Sequence, residues 1–244
     1  TIRHPRRWMR RPFERRLLQG SAAILTPGVK HHDYLLRRGA RSAQLCPLPN
    51  CVDLQGLPFD PANPLAKELS AIMGSGVNKR PLICSIGRHV AFKGHDQLLH
   101  AQALLEEELG AASPHLVIAG SGPLLPRNRA LALQLGLRQV TFVDRFVGPT
   151  EKAVLLHMAD VFALTSTRTT AFEAWGLVCN EAALYGKPMV VTDQVGAAGE
   201  LVRPGENGVI VPDRDYSALA AALRKLCGDT ALRERYGAAS LRIV

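Results

Sequence analysis

Short apolar runs alternate with longer helical patterns over most of this chain. From residue 81 onward the runs are PLICSIG (81–87), HLVIAG (115–120), QVTFVD (139–144), DVFALT (160–165), PMVVT (188–192) and NGVIV (207–211). Helical patterns fall between them, over 94–109, 123–135 and 152–159, from about Gly176, near 197–202, and last over 215–227. The runs are continuously apolar, which predicts strands covered on both faces, hence a parallel sheet between two helical layers. In such sheets ligands bind at the carboxyl ends of the strands, so the loops after each strand are where chemistry is sought.

The pattern upstream is weaker. Pro12 fits the first turn of a helix over 12–20, AAILT (22–26) reads as a short strand, and a helix over 29–38 closes at Gly39. QLCPLPNCVDLQGLPFDPANP carries five prolines and reads as a connection; AKELSAIMGSGVNKR reads as a short helix running into a turn. The expected organisation is a partial α/β domain over 1–53, a linker over 54–80 and a Rossmann-like domain over 81–244.

Composition changes this picture in two places. Of 244 residues 47% are hydrophobic and 21% charged, enough for a core, and the net charge of +9 points to anionic partners. Aromatics make up only 5%, and no nucleic-acid motif is present, which argues against DNA or RNA. The five cysteines show no zinc spacing and read as reduced thiols of a cytoplasmic protein. No run reaches the length of a membrane span. The chain opens TIRHPRRWMRR without an initiating Met or a signal peptide, so a fragment is expected. The arginines between Arg3 and Arg16, with Trp8 and Phe13, fit a peripheral contact with anionic lipid or a solvated basic helix. His89, His95, His100 and His157 have no metal spacing and read as surface or helix-face residues; the adjacent His31 and His32 point apart.

Three loops offer chemistry. GRHVAFKG (87–94) places Arg88 after a strand and Lys93 before a helix, where two cations can hold a diphosphate or simply face solvent. GSGP (120–123) brings Gly120 and Gly122 directly after a strand, for close approach of a ligand or for a tight turn; it is not a dinucleotide fingerprint. TTAFEAWGLVCNEAALYGKP (169–188) spaces Glu173 and Glu181 by seven residues. A helix starting near Gly176 leaves the amides of Gly176, Leu177 and Val178 free for an anion. Glu181 lies a turn inside, able to accept from a vicinal diol, and Glu173 lies before it. Either glutamate alone is explained by the helix dipole. Three loops on one sheet edge, each suited to a nucleoside diphosphate, favour the ligand reading.

These motifs in this order, with ADVFALTS, EAALYGKPMVVTD and ELVRPGENGVIVP, resemble the C-terminal domain of the family 4 retaining glycosyltransferases of the GT-B fold. FERRLLQGSAAILTPG and LPNCVD resemble the end of that family's N-terminal domain, so the likeness covers roughly residues 12–227. The resemblance implies an α/β fold: a Rossmann-like parallel sheet with helices on both faces, plus part of a second α/β domain.

It further implies a metal-independent, retaining transfer of a sugar from a UDP- or GDP-sugar to a glycan, lipid-linked or small-molecule acceptor, in polysaccharide or glycolipid synthesis for the cell envelope. No cofactor is implied, the nucleotide sugar being a substrate. Catalytic roles fall on Arg88, Lys93 and Glu173. Donor contacts fall on Gly87, Gly120, Gly122, Trp175, Gly176, Leu177 and Val178, on Glu181 at the ribose, and on the backbone of Arg145, Phe146 and Val147 at the base. Asp144 stands where the family usually has glycine, and so does Cys51. The first part of the acceptor domain and its catalytic histidine are absent, and the return helix is expected to be truncated after LRIV. The expected location is the cytoplasm, with peripheral contact at the inner face of the membrane where the arginine-rich start meets lipid and none where it is a solvated helix. A sugar phosphorylase, a nucleotide-sugar epimerase and an inactive nucleotide-binding fragment remain the alternatives.

Overall fold

A computed structural model describes residues 7–53, 58–74 and 80–244. The chain divides into two compact units, Thr1–Cys51 and Val52–Val244.

The first unit holds α1 (Arg7–Gly20), β1 (Ile24–Thr26), α2 (Val29–Arg38) and β2 (Leu45–Pro47). α1 begins earlier than residue 12, with Pro12 inside it. A proline forfeits a helix bond without necessarily ending the helix. β1 and β2 pair in parallel, Ile24 beside Leu45. β2 lies where the sequence reads as connection; three residues ending in proline are too few to show a period. Arg3 and Arg6 lie outside the described residues, as do the side chains of Arg7, Trp8, Arg10 and Arg11.

The second unit begins with α3 (Pro64–Met73), capped by the Asn63 side chain, which accepts from the Leu65 amide at 3.0 Å. It sits inside the segment expected to link two domains, of which 54–57 and 75–79 lie outside the described residues. Then follow β3 (Leu82–Ile86), α4 (His95–Leu109), β4 (His115–Ala119), α5 (Leu125–Gln134), β5 (Val140–Val143) and α6 (Pro149–Met158). The unit closes with β6 (Val161–Leu164), α7 (Val178–Leu184), β7 (Met189–Thr192), β8 (Gly208–Val211), α8 (Tyr216–Gly228) and α9 (Thr230–Ile243). The strands form a parallel sheet in the order β5-β4-β3-β6-β7-β8.

Side chains alternate strictly between the two faces, as a two-residue period requires. Leu82, Cys84, Phe162, Leu164, Met189 and Val191 pack with α3, α6 and α7. Ile83, Leu116, Ile118, Val161, Ala163 and Val190 pack with α4, α5 and α8. Both layers are apolar, which is why the strands read as continuous runs and not as alternating ones.

Two segments depart from the sequence pattern. The helix expected near 197–202 is a series of turns, pinned by a bridge between Ala198 and Val202 and by the Ala197 amide, which donates to the Trp175 carbonyl at 2.9 Å. Gly196 explains it: a Cβ there would stand 1.9 Å from the Ala174 carbonyl, so the chain is clamped onto its neighbour and local propensity loses. At the end of the chain, Asp229 caps α9 by accepting from the Leu232 amide at 2.8 Å, and α9 packs on α7 and α8.

The strand order reverses direction between β3 and β6. That reversal opens a crevice at the carboxyl edge, where the loops of neighbouring strands diverge to opposite faces.

Candidate functional site

The β3–α4 loop is fastened on both sides. Toward β4, the amides of Gly87 and His89 donate to Ala119 and Ser121 (both 2.9 Å), and the Leu124 amide donates to His89 (2.9 Å). Gly120 (φ 140°) permits this: a Cβ there would lie 2.2 Å from the Gly87 carbonyl oxygen. At Gly122 a Cβ would lie 2.6 Å from that of His89. These glycines therefore have a packing duty, independent of any ligand. Toward β6, the Thr167 amide donates to the Phe92 carbonyl at 2.8 Å and the Thr165 hydroxyl to that of Gly94 at 2.9 Å.

Held between these walls, Lys93 forms an ion pair with Glu173 across the crevice. The stem of Lys93 passes Gly87, and Ser166 Oγ donates to the same Glu173 oxygen at 3.0 Å. Both charged side chains are mostly buried. A buried pair holds its geometry only where additional hydrogen bonds support it, and the hydroxyl of Ser166 supplies one.

Beside this pair lies a cavity of about 310 Å³ lined by Ile86, Gly87, Arg88, Ala119, Gly120, Ser121, Phe146, Val147, Pro149, Lys152, Val178 and Glu181. It brings together seven of the sequence-expected residues: Gly87, Arg88, Gly120, Phe146, Val147, Val178 and Glu181. Phe146 stands at its lip, 83% exposed, while Val147 is buried. Glu181, the fourth residue of α7, is ion-paired with Lys152 of α6. Gly176 and Leu177 precede α7, and Gly176 takes a left-handed φ of 92° that only glycine adopts easily.

Several side chains near the cavity have partners of their own. Trp175 is buried in the core, and its indole N–H donates to Asn180 Oδ1 at 2.7 Å, which leaves only its backbone for a ligand. Arg145 pairs with Glu151 at 2.7 Å, and Asp144 pairs with Arg129 at 3.1 Å. Lys152 and Ser166 were not singled out from the sequence. Lys152 is separated from Glu181 by a strand and two loops, and nothing local marks it.

Under the β3–α4 loop, His89 and His95 are buried with ring centroids 4.6 Å apart; His95 opens α4 on its inner face, and neither lies on the surface. His89 Nδ1 meets Asn128 Nδ2 at 2.8 Å. Burial, with the His89 ring and Lys93 adding to it, pushes His95 down to about 3, while backbone groups of Arg88 and Gly87 pull the other way. Burial also lowers His89. Both rings are neutral at pH 7, so the positive charge of this loop belongs to Arg88 and Lys93. A larger cavity, about 530 Å³, lies between α4, α5 and the start of α8; none of the sequence-expected residues lines it. Among the described residues no group of three or more His, Cys, Asp or Glu is placed to hold a metal ion, and no helix is long and apolar enough to cross a membrane.

The family model "Glycosyl transferases group 1" matches residues 74–242, more than half of the chain. The D-inositol 3-phosphate glycosyltransferase of Thermomonospora curvata is 34% identical over 171 residues, 66% of this chain and 38% of that protein. The GDP-mannose-dependent alpha-(1-6)-phosphatidylinositol monomannoside mannosyltransferase of Mycolicibacterium smegmatis is 33% identical over 158 residues, 63% of this chain and 40% of its own. Among solved structures, Alr3699/HepE of Anabaena, in complex with UDP-glucose, superposes with a TM-score of 0.79 at 21% identity, covering 96% of this chain and 62% of that one. The chain thus spans less than two thirds of each of these relatives.

Proposed function

The chain belongs to the group 1 glycosyl transferases, and we propose that its second unit binds a UDP- or GDP-sugar in the crevice between β3 and β6. The sugar is transferred to a glycan, lipid-linked or small-molecule acceptor in polysaccharide or glycolipid synthesis. The observation that carries this reading is the cavity at the switch point. It joins Arg88, the backbone of Gly87 and Gly120, and Glu181 in one wall system, with the Lys93–Glu173 pair alongside.

The chemistry follows from charge. Departure of a nucleoside diphosphate concentrates negative charge on its phosphates, and cations at the crevice stabilise that charge, most strongly the mostly buried Lys93, with Arg88 reaching in from its exposed position. Arg88 and Lys93 take this role. Glu173, held by Lys93 and Ser166, faces the hydroxyls of the transferred sugar, and Glu181 accepts from the ribose. With protein cations on the leaving group, the reading requires no divalent metal. It assigns retention of anomeric configuration through a front-face displacement, with Glu173 as an orienting group and not a nucleophile. We place the protein in the cytoplasm, with the arginine-rich start of the chain meeting anionic lipid. The mannosyltransferase relative is named for GDP-mannose and the Anabaena neighbour holds UDP-glucose, which leaves the base open between guanine and uracil.

Calorimetric titration of UDP, GDP and their sugars tests the proposal. Saturable one-site binding by one nucleotide series supports it; a folded sample that binds neither series sinks it.

A further inference from the structure

Glu181 does not wait in the cavity as a bare carboxylate. Lys152 on α6 donates to its Oε1, and both side chains line the same cavity as Arg88 and Gly120. About a quarter of each side chain reaches solvent, so the pair sits at the cavity wall, neither in the core nor on the open surface.

The donor and acceptor inventory of this pair is lopsided in a useful way. An ammonium has three N–H donors and a carboxylate two oxygens with several lone pairs. The mutual contact uses one donor and one oxygen. Glu181 Oε2 is left as an acceptor, and Lys152 keeps donors to give, side by side on one wall. A vicinal cis-diol presents the complementary face: one hydroxyl to donate and, next to it, an oxygen to accept.

We propose that Lys152 is a specificity-determining residue of the donor site: Glu181 accepts from one ribose hydroxyl while Lys152 donates to the oxygen of the other. The proposal rests on the nucleoside diphosphate reading of this cavity and adds to it a second reader of the sugar. Lys152 also fixes the carboxylate. Without it, Glu181 is free to turn its charge toward water or toward Arg88, and the ribose meets a group in many orientations. The pair makes the site selective for ribonucleotides by needing both hydroxyls at once. A 2′- or 3′-deoxy analogue leaves either Oε2 or an ammonium N–H without its partner, and an unmade bond to a charged group is the expensive kind.

A merely structural ion pair tying α6 to α7 predicts something different, and the experiment separates the two. UDP and GDP are titrated calorimetrically into the full chain, and the tighter of them is compared with its 2′-deoxy and 3′-deoxy forms. The wild type is expected to prefer the ribonucleotide by about tenfold or more, the scale of one charged hydrogen bond. In Lys152→Met the preference over the analogue lacking the hydroxyl that Lys152 reads falls to within about threefold, that analogue keeping its affinity, while the preference over the other analogue, set by Glu181, remains. Lys152→Arg restores part of it. Thermal unfolding of each variant reports the fold separately. Equal loss of affinity for ribo- and deoxynucleotides in Lys152→Met, or a wild type indifferent to the hydroxyls, overturns the role of Lys152 while leaving the cavity a nucleotide site. No saturable binding of UDP or GDP to the wild type overturns the underlying reading itself.

Discussion

Replacing Lys93 by Met is the perturbation whose size the structure states most directly. The side chains of Lys93 and Glu173 are only 14% and 11% exposed, and Glu173 has one further partner, the Ser166 hydroxyl at 3.0 Å. Removing one member of a fully buried pair costs about 3–5 kcal/mol, because the remaining charge is stranded. The Ser166 contact and the residual solvent access bring the expectation to about 2–3 kcal/mol. For a unit of this size that lowers Tm by about 4–12 °C. The double variant Lys93→Met/Glu173→Gln removes the stranded charge and keeps an acceptor for Ser166, so it is expected within about 1 kcal/mol of wild type. Urea unfolding of the four proteins in the cycle, followed by circular dichroism, measures the coupling directly. If Lys93→Met stays within about 0.5 kcal/mol of wild type and the double variant is additive, the pair is solvent-screened. The crevice is then not the water-poor site that stabilisation of a leaving diphosphate requires.

Further outcomes follow from the same geometry. Lys93→Ala is expected to weaken UDP or GDP binding by about tenfold or more while changing nucleoside binding little; equal losses in the two titrations refute its placement at the phosphates. Gly120→Ala, which forces a Cβ to within 2.2 Å of the Gly87 carbonyl, is expected to cost about 2–3 kcal/mol and to abolish binding, measured by urea midpoint and calorimetry. Trp175→Phe removes the indole hydrogen bond to Asn180 Oδ1 and is expected to cost about 1 kcal/mol with nucleotide affinity kept within a factor of about two. His95 is neutral in the folded chain down to about pH 3, whereas unfolded histidine gains a proton near 6.5, so the unfolded state binds more protons below that value. Acidification from pH 7 to 5 therefore removes about 2 kcal/mol of stability through His95, and His95→Gln flattens that slope in urea midpoints; an unchanged slope contradicts the burial.

The sequence made the sheet legible for a physical reason. The four central strands of the second unit are buried on both faces and the two edge strands partly so, and each reads as a short, mostly apolar run. Elements governed by contacts distant in sequence were harder to read. β2 is three residues with a proline, stabilised by β1 and not by its own pattern. The turns at 197–202 look helical until Gly196 is clamped against Ala174.

The site divides the same way. Arg88, Gly120 and Glu181 stand at fixed offsets from strand or helix ends, and the cavity gathers them. Lys152 and Ser166 reach the site only through tertiary packing, and the burial of His89 and His95 is invisible in their spacing. Trp175 shows the converse. It sits within the motif, yet its side chain belongs to the core.

The most direct test of the account is a crystal structure of the chain with UDP or GDP bound. The account predicts density in the crevice between β3 and β6, with the diphosphate on Arg88 and Lys93 and the ribose on Glu181 and Lys152. Nucleotide seated in the larger cavity among α4, α5 and α8, with the crevice empty, would contradict it.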